Sequence, residues 1–137
     1  MRVVLDTNVL VSAFLKPRSN PARILRLILQ DDIQIIINEY ILTEYFEVLA
    51  RPKFHLKSDR IQTVFQVIRM KGIKAPALAE SFELPDSKDE PFLEAALAGR
   101  ADALITGNKK HFPRKFCKGQ SVVNPKEFLS ELGKKVL

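Results

Sequence analysis

Apolar and polar positions follow one another along the chain with two distinct periods, one of strands and one of helices. Arg2-Val3-Val4-Leu5 is short and almost wholly apolar, the pattern of a strand buried on both faces. Asp6-Thr7-Asn8 breaks the run with helix-capping residues, and Val9 to Leu15 resumes at helical spacing. Pro17, Asn20 and Pro21 punctuate, and Ala22 to Gln30 predicts a basic amphipathic helix. Ile33 to Ile37 is the clearest strand, because β-branched side chains suit the pleat. A helix is predicted from about Glu39 to Arg51, stopped by Pro52. The next runs from Ser58, as N-cap, to Gly72. After a short strand around Ile73 and Lys74, Glu90 to Gly99 is helical. Ala103 to Thr106 and Ser121 to Val123 are strands, and Pro125 to Leu132 is a closing helix.

Strands alternating with helices predict an α/β fold with a parallel sheet covered on both faces. Ligand sites in such sheets lie at the carboxyl ends of the strands. The polar residues at those ends therefore carry the functional question.

Four positions stand out. Asp6 follows the first strand directly; it serves either as a cap or as part of a site, and Thr7 and Asn8 could cap equally well. Glu44 lies on the shoulder of the apolar stripe Ile41, Leu42, Tyr45, Phe46, Val48 and Leu49, while Glu39 and Glu47 fall outside it. A carboxylate there either reaches water at the edge or needs a partner. Asp89 precedes Phe92, Leu93, Ala96 and Leu97 at i+3, i+4, i+7 and i+8, which puts it at the top of a core-facing stripe. Its alternative role is a cap or helix-dipole partner, since Ser87 and Glu90 fit a capping box and Pro91 suits a first turn. Asn108 ends the Ala103–Thr106 strand much as Asp6 ends the first, unless Gly107-Asn108 is turn chemistry alone. Asp86 and Asp102 lie nearby in sequence and are candidates for support. Oxygen donors gathered in one crevice, with no His or Cys among them, suit Mg²⁺ or Mn²⁺, and crowded like charges need a cation.

Charge and composition narrow the field. The chain has 137 residues, 46% hydrophobic and 28% charged, which fits one globular domain over residues 1–137. A single cysteine, Cys117, excludes an internal disulfide, and His55 and His111 do not cluster with it as a structural zinc site requires. No apolar run approaches the roughly 20 residues of a membrane span, so the chain reads as soluble and cytoplasmic. The net charge of +6 favours a polyanionic partner. Lys109, Lys110 and Arg114 follow Asn108, interleaved with His111, Phe112 and Phe116. That mixture suits RNA, by phosphate contact and base stacking, or else forms a solvated loop anchored by buried phenylalanines. Arg51, Lys53 and Lys57 make a second basic stretch.

The same residues carry a family likeness. Val3-Val4-Leu5-Asp6-Thr7-Asn8-Val9-Leu10, Leu42-Thr43-Glu44-Tyr45, Asp86-Ser87-Lys88-Asp89-Glu90-Pro91-Phe92-Leu93 and Ala101-Asp102-Ala103-Leu104-Ile105-Thr106-Gly107-Asn108 occur in the order and spacing of a PIN domain. The sequence resembles that nuclease family, which includes the VapC-type toxins of bacterial and archaeal toxin–antitoxin pairs. The resemblance implies a three-layer α/β/α fold and an acidic site cutting single-stranded or structured RNA with Mg²⁺ or Mn²⁺. It assigns metal-holding roles to Asp6, Glu44 and Asp89, with Asn8 and Thr106 in support. Asn108 stands where the family often has a fourth acid; an amide there still ligates a metal or a bound water, with one negative charge fewer. The likeness further implies a small antitoxin partner and a homodimer.

Other function classes compete. A weakened acidic site leaves an RNA- or partner-binding module without cleavage. A phospho-acceptor receiver needs paired acids at the exit of the first strand, where this chain has Asp-Thr-Asn. A plain scaffold leaves Asp89 on the core stripe unexplained.

Overall fold

A computed structural model describes residues 1–136. The elements are β1 (Arg2–Leu5), α1 (Thr7–Leu15), α2 (Asn20–Leu29), β2 (Gln34–Ile37), α3 (Glu39–Leu49), α4 (Ser58–Lys71), β3 (Ile73–Lys74), α5 (Glu90–Ala98), β4 (Ala103–Ile105), β5 (Val122–Val123) and α6 (Pro125–Val136). Short 3₁₀ turns fill Pro52–Phe54, Ser87–Asp89, Lys109–His111 and Arg114–Phe116. The strands form one parallel sheet in the order β3-β2-β1-β4-β5, flanked by the six helices as the three-layer α/β/α arrangement.

Burial explains the central strands. Val3, Val4, Leu5, Ile35, Ile36, Ile37, Leu104 and Ile105 are all essentially inaccessible, because helices cover both faces of the sheet. Helix α5 packs across β1, β2 and β4 through Phe92, Leu93 and Ala96. Helix α3 is pinned at several points. The Tyr45 hydroxyl donates to the Leu5 carbonyl at 2.5 Å, the Asn38 side chain accepts from the Ile41 amide at 2.8 Å, and its Nδ2 donates to the Pro91 carbonyl at 3.4 Å. Those bonds fix the helix that bears Glu44 against both β1 and α5.

Several boundaries differ from the sequence expectation. Helix α1 starts at Thr7, with Asp6 in the N-cap position, two residues before Val9. Ser19 caps α2 by accepting from the Ala22 amide, so Asn20 and Pro21 are the first turn and not a break. Ser58 is the first residue of α4 rather than its cap; Lys57 precedes it without a side-chain bond. Helix α6 continues past Leu132 to Val136. Phe46, placed on the buried stripe of α3, is 39% exposed and packs edge-on against Phe65 of α4 at 5.3 Å.

The order of strands matters for function. The chain steps outward from β1 to β2 and β3, then returns to the other side of β1 as β4. The direction of winding therefore reverses between β1 and β4, and a crevice opens at the carboxyl ends of those two strands.

Candidate active site at the carboxyl edge of the sheet

Asp6 leaves β1 at this crevice. Its amide donates to the Ile105 carbonyl at 2.9 Å, which carries the β1–β4 pairing one residue past the strand end. Although Asp6 occupies the N-cap position of α1, its carboxylate makes no capping bond. Oδ2 instead accepts from the Thr106 hydroxyl at 2.7 Å. The residue is only 6% exposed, and burial pushes its carboxyl above the ordinary range against the opposing pull of Thr106 and the Thr7 amide. Asp6 is thus more than a helix cap: its carboxylate is turned to Thr106 and feels the Thr7 amide without a capping bond deeper in the helix.

Glu44 reaches the same crevice from α3. Its Oε2 accepts from the Thr7 hydroxyl, so the first residue of α1 holds the second acid. The residue is half-buried, as the helical wheel placed it.

Asp89 closes the site from the start of α5. It also sits at an N-cap position without making a capping bond. Its side chain is 14% exposed, and Oδ2 is buried without a hydrogen-bond partner among the described residues. Burial and then the charge of Asp6 push its carboxyl up to about 6; Asp86 and Glu44 push the same way and His111 opposes. Mutual repulsion of this kind places Asp6, Glu44 and Asp89 in one electrostatic neighbourhood. Tyr40, exposed at the first turn of α3, feels it too: its phenol is raised by partial burial, then by Glu44, Asp86 and Asp89.

The supporting residues divide. Thr106 is fully buried and bonded to Asp6, and its hydroxyl also accepts from the Asn108 amide at 3.1 Å. Asn8 accepts from the Gly107 amide at 3.3 Å and so ties α1 to the end of β4. Asn108 turns its side chain to the Lys110 amide at 3.3 Å and caps the Lys109–His111 turn. Asp86 is exposed and caps the turn before Asp89 through the Lys88 amide at 2.9 Å. Asp102 does not belong to the group. It stands at the opposite end of β4, where it accepts from the Arg2 amide at 2.8 Å. The residue before a strand lies one strand length from the residue after it, and the linear sequence hides that separation.

Sequence reasoning read Thr7 only as a capping residue and His111 only as part of the basic stretch, whereas both stand against the acids. His111 Nδ1 lies 3.1 Å from Asp89 Oδ2, though without the alignment of a hydrogen bond. The signal available was an Asn-capped turn three residues long directly after the β4 exit.

The basic stretch takes a different form from a stacking surface. Phe112 is buried and Phe116 half-buried, so both anchor the loop to the core. Lys109 is tied to Glu127 of α6 at 2.9 Å, whereas Lys110 and Arg114 are exposed. Lys109 and Arg114 line a groove of about 590 Å³ with Phe112, Pro113 and Gln120, beside the acids and not on them.

The donor set fits a divalent cation. A buried carboxylate oxygen without a hydrogen-bond partner among the described residues belongs to an acid that two further acids repel, a cation would relieve that repulsion, and all three are hard oxygen donors. Among the described residues no three His, Cys, Asp or Glu side chains are placed to hold a metal ion directly as they stand. Nor is any described helix long and apolar enough to cross a membrane.

Comparison with solved structures returns the same fold. The chain is similar to VapBC2 from Rickettsia felis bound to a DNA fragment from its promoter, at 19% identity and TM-score 0.59, over 90% of this chain and 98% of the other. FitAcB from Neisseria gonorrhoeae matches at 17% identity and TM-score 0.60, over 90% and 98%. FitAB bound to an IR36 DNA fragment matches at 16% identity and TM-score 0.59, over 90% and 94%. No curated protein matches the sequence. The sequence profile of the PIN domain matches residues 2–110, from β1 through the Asn108 turn, and the chain belongs to the PIN domain family.

Proposed function

We propose that the protein is a ribonuclease that hydrolyses phosphodiester bonds with Mg²⁺ or Mn²⁺, and that it is the toxin of a toxin–antitoxin pair acting in the cytoplasm. The observation that carries the reading is the buried Asp89 oxygen, without a hydrogen-bond partner among the described residues, in a carboxyl that feels the charges of Asp6 and Glu44 at the switch point of a parallel sheet. Asp6, Glu44 and Asp89 would hold the cation, directly or through waters. When bound, such a cation lowers the pKa of water and neutralises charge that builds on the phosphate. Thr106 orients Asp6 and opposes the rise that burial imposes on its carboxyl, Thr7 orients Glu44, and Asn8 fixes the Gly107 backbone beside them. In-line attack by water leaves a 5′-phosphate and a 3′-hydroxyl, with no side-chain nucleophile. Lys110 and Arg114 supply phosphate contacts outside the acidic centre.

The partner part of the proposal rests on likeness. VapBC2 and FitAB are complexes bound to DNA, and by that analogy we propose a small antitoxin partner and a homodimer for this chain.

A second reading, an RNA- or partner-binding module without cleavage, is favoured by Asn108, whose amide caps a turn where an acid could have joined the site. One assay separates the two. Purified wild type and Asp6→Asn are incubated with RNA, with and without Mn²⁺, and the product ends are mapped. Cleavage by wild type alone, in metal, with 5′-phosphate ends supports the nuclease. Metal-independent cleavage or 2′,3′-cyclic phosphate ends overturn it, and RNA binding without any cleavage selects the second reading.

A further inference from the structure

The Lys109–His111 turn is built onto the acidic site by a continuous chain of bonds. Thr106 donates its hydroxyl to Asp6 and accepts the Asn108 amide on the same oxygen. The Asn108 side chain then accepts from the Lys110 amide, and the Asn108 backbone carbonyl accepts from the His111 amide at 3.1 Å. Phe112, 3% exposed, anchors the following residue in the core. The imidazole delivered by this turn is 47% exposed, so packing is not its purpose.

We infer that His111 Nδ1 is a ligand of the divalent cation beside Asp89 Oδ2, which makes the site a mixed nitrogen–oxygen one that favours Mn²⁺ over Mg²⁺. This rests on the metal-dependent reading above. The two atoms are 3.1 Å apart, yet they do not align as a hydrogen bond, and among the described residues the buried Oδ2 has no hydrogen-bond partner. Neighbouring donors around an octahedral ion with bonds of about 2.1 Å stand about 3 Å apart. The pair therefore has the spacing of one edge of such a shell. Ions of this class commonly keep several waters and take few protein donors, so two protein ligands with Asp6 or Glu44 nearby suffice. An imidazole nitrogen suits a transition ion better than Mg²⁺, which prefers oxygen throughout. His111 thus adds a donor on the turn that Asn108 caps.

The competing role is that of a counter-ion, an imidazolium that offsets the Asp89 charge and must leave when a cation arrives. The two roles predict opposite results on deletion. Mn²⁺ is titrated into the metal-free full chain and followed by electron paramagnetic resonance, with electron spin-echo modulation of the bound ion. Wild type should show ¹⁴N coupling. His111→Ala should lose that coupling and bind Mn²⁺ about tenfold or more weakly, with a smaller change for Mg²⁺. His111→Asp should restore affinity with no nitrogen coupling, while His55→Ala keeps the wild-type signal. Circular dichroism of each variant checks the fold. Mn²⁺ bound to wild type without ¹⁴N coupling, or bound by His111→Ala as tightly as by wild type or more so, overturns the inference alone. No Mn²⁺ binding by wild type overturns the metal-dependent reading and the inference with it.

Discussion

The Thr106 hydroxyl donates to Asp6 Oδ2 at 2.7 Å, with both residues buried between the carboxyl ends of β1 and β4. A charge-assisted bond of this kind does two jobs: it stabilises a buried carboxylate and it fixes the direction of an oxygen. Thr106→Val keeps the shape and removes the donor. The Asp6 carboxyl should then rise further, and divalent-ion affinity and RNA cleavage should fall about 10- to 100-fold. Stability should drop by about 1–3 kcal/mol, the range for leaving a buried polar group unsatisfied. Thr106→Ser should recover most of both. Cleavage rates together with Mn²⁺ titration check the prediction; a valine variant with wild-type affinity would refute the role given to Thr106.

Asp89 makes the metal-free chain sensitive to pH in a defined direction. Its carboxyl is about 6 in the folded chain against an ordinary 3.8, chiefly through burial and then the Asp6 charge. The folded chain holds this proton more tightly than the unfolded chain does. The contribution of Asp89 to stability is therefore fully present below about pH 4 and is lost as pH rises through about 6. Asp6, raised by burial, acts in the same sense. Asp89→Asn imitates the protonated state, so its melting temperature should exceed that of metal-free wild type at pH 7 and approach it at pH 4. Thermal melts in a chelator across that range test this, and added Mn²⁺ should close the gap at pH 7 by stabilising ionised wild type only.

Much of this was legible in the residues themselves. Apolar runs of β-branched residues marked β1, β2 and β4, because both-face burial leaves a continuous signal. Asp6 and Asp89 were visible as acids in places where acids are costly, one at a core-strand exit and one on a core-facing stripe. Their sharing of a crevice was not visible in periodicity, which reports the face of an element and not the neighbour it meets. Order and spacing of the quoted motifs supplied that step through resemblance. His111 escaped because a 3₁₀ turn has no period to read and its partner, Asp89, lies 22 residues earlier. Asp102 misled for the reverse reason: near Thr106 in sequence, it lies at the other end of the same strand.

Asp102→Asn is the corresponding control. Among the described residues its carboxylate accepts only from the Arg2 amide, in an exposed setting at the amino edge of the sheet. Cleavage and Mn²⁺ affinity should be unchanged within error, with a stability cost of no more than about 1 kcal/mol. A large loss of activity in a variant that melts normally would place Asp102 back in the site.

The basic loop should grip RNA through Lys110 and Arg114 more than through Lys109. All three follow the acidic site, but the Lys109 ammonium is bonded to both oxygens of Glu127, at 2.9 and 3.1 Å, and so is partly neutralised. The pair is screened by water, so it biases Lys109 without removing it. Binding is best measured on the Asp6→Asn background, where substrate survives, by fluorescence anisotropy at several salt concentrations. Removing one side chain that neutralises a phosphate should lower the salt slope by about 0.7 for single-stranded RNA. Lys110→Ala with Arg114→Ala should therefore weaken binding and reduce the slope by about 1.4, twice that single-site value. Lys109→Ala should do less than either alone, and Glu127→Gln should strengthen binding by freeing the lysine. The same substitutions should leave Mn²⁺ affinity unaltered, since they touch neither Asp6, Glu44, Asp89 nor His111. If Lys109→Ala weakened binding the most, the ion pair with Glu127 would have to open on RNA, and the groove between β5 and this loop would become the path of the strand.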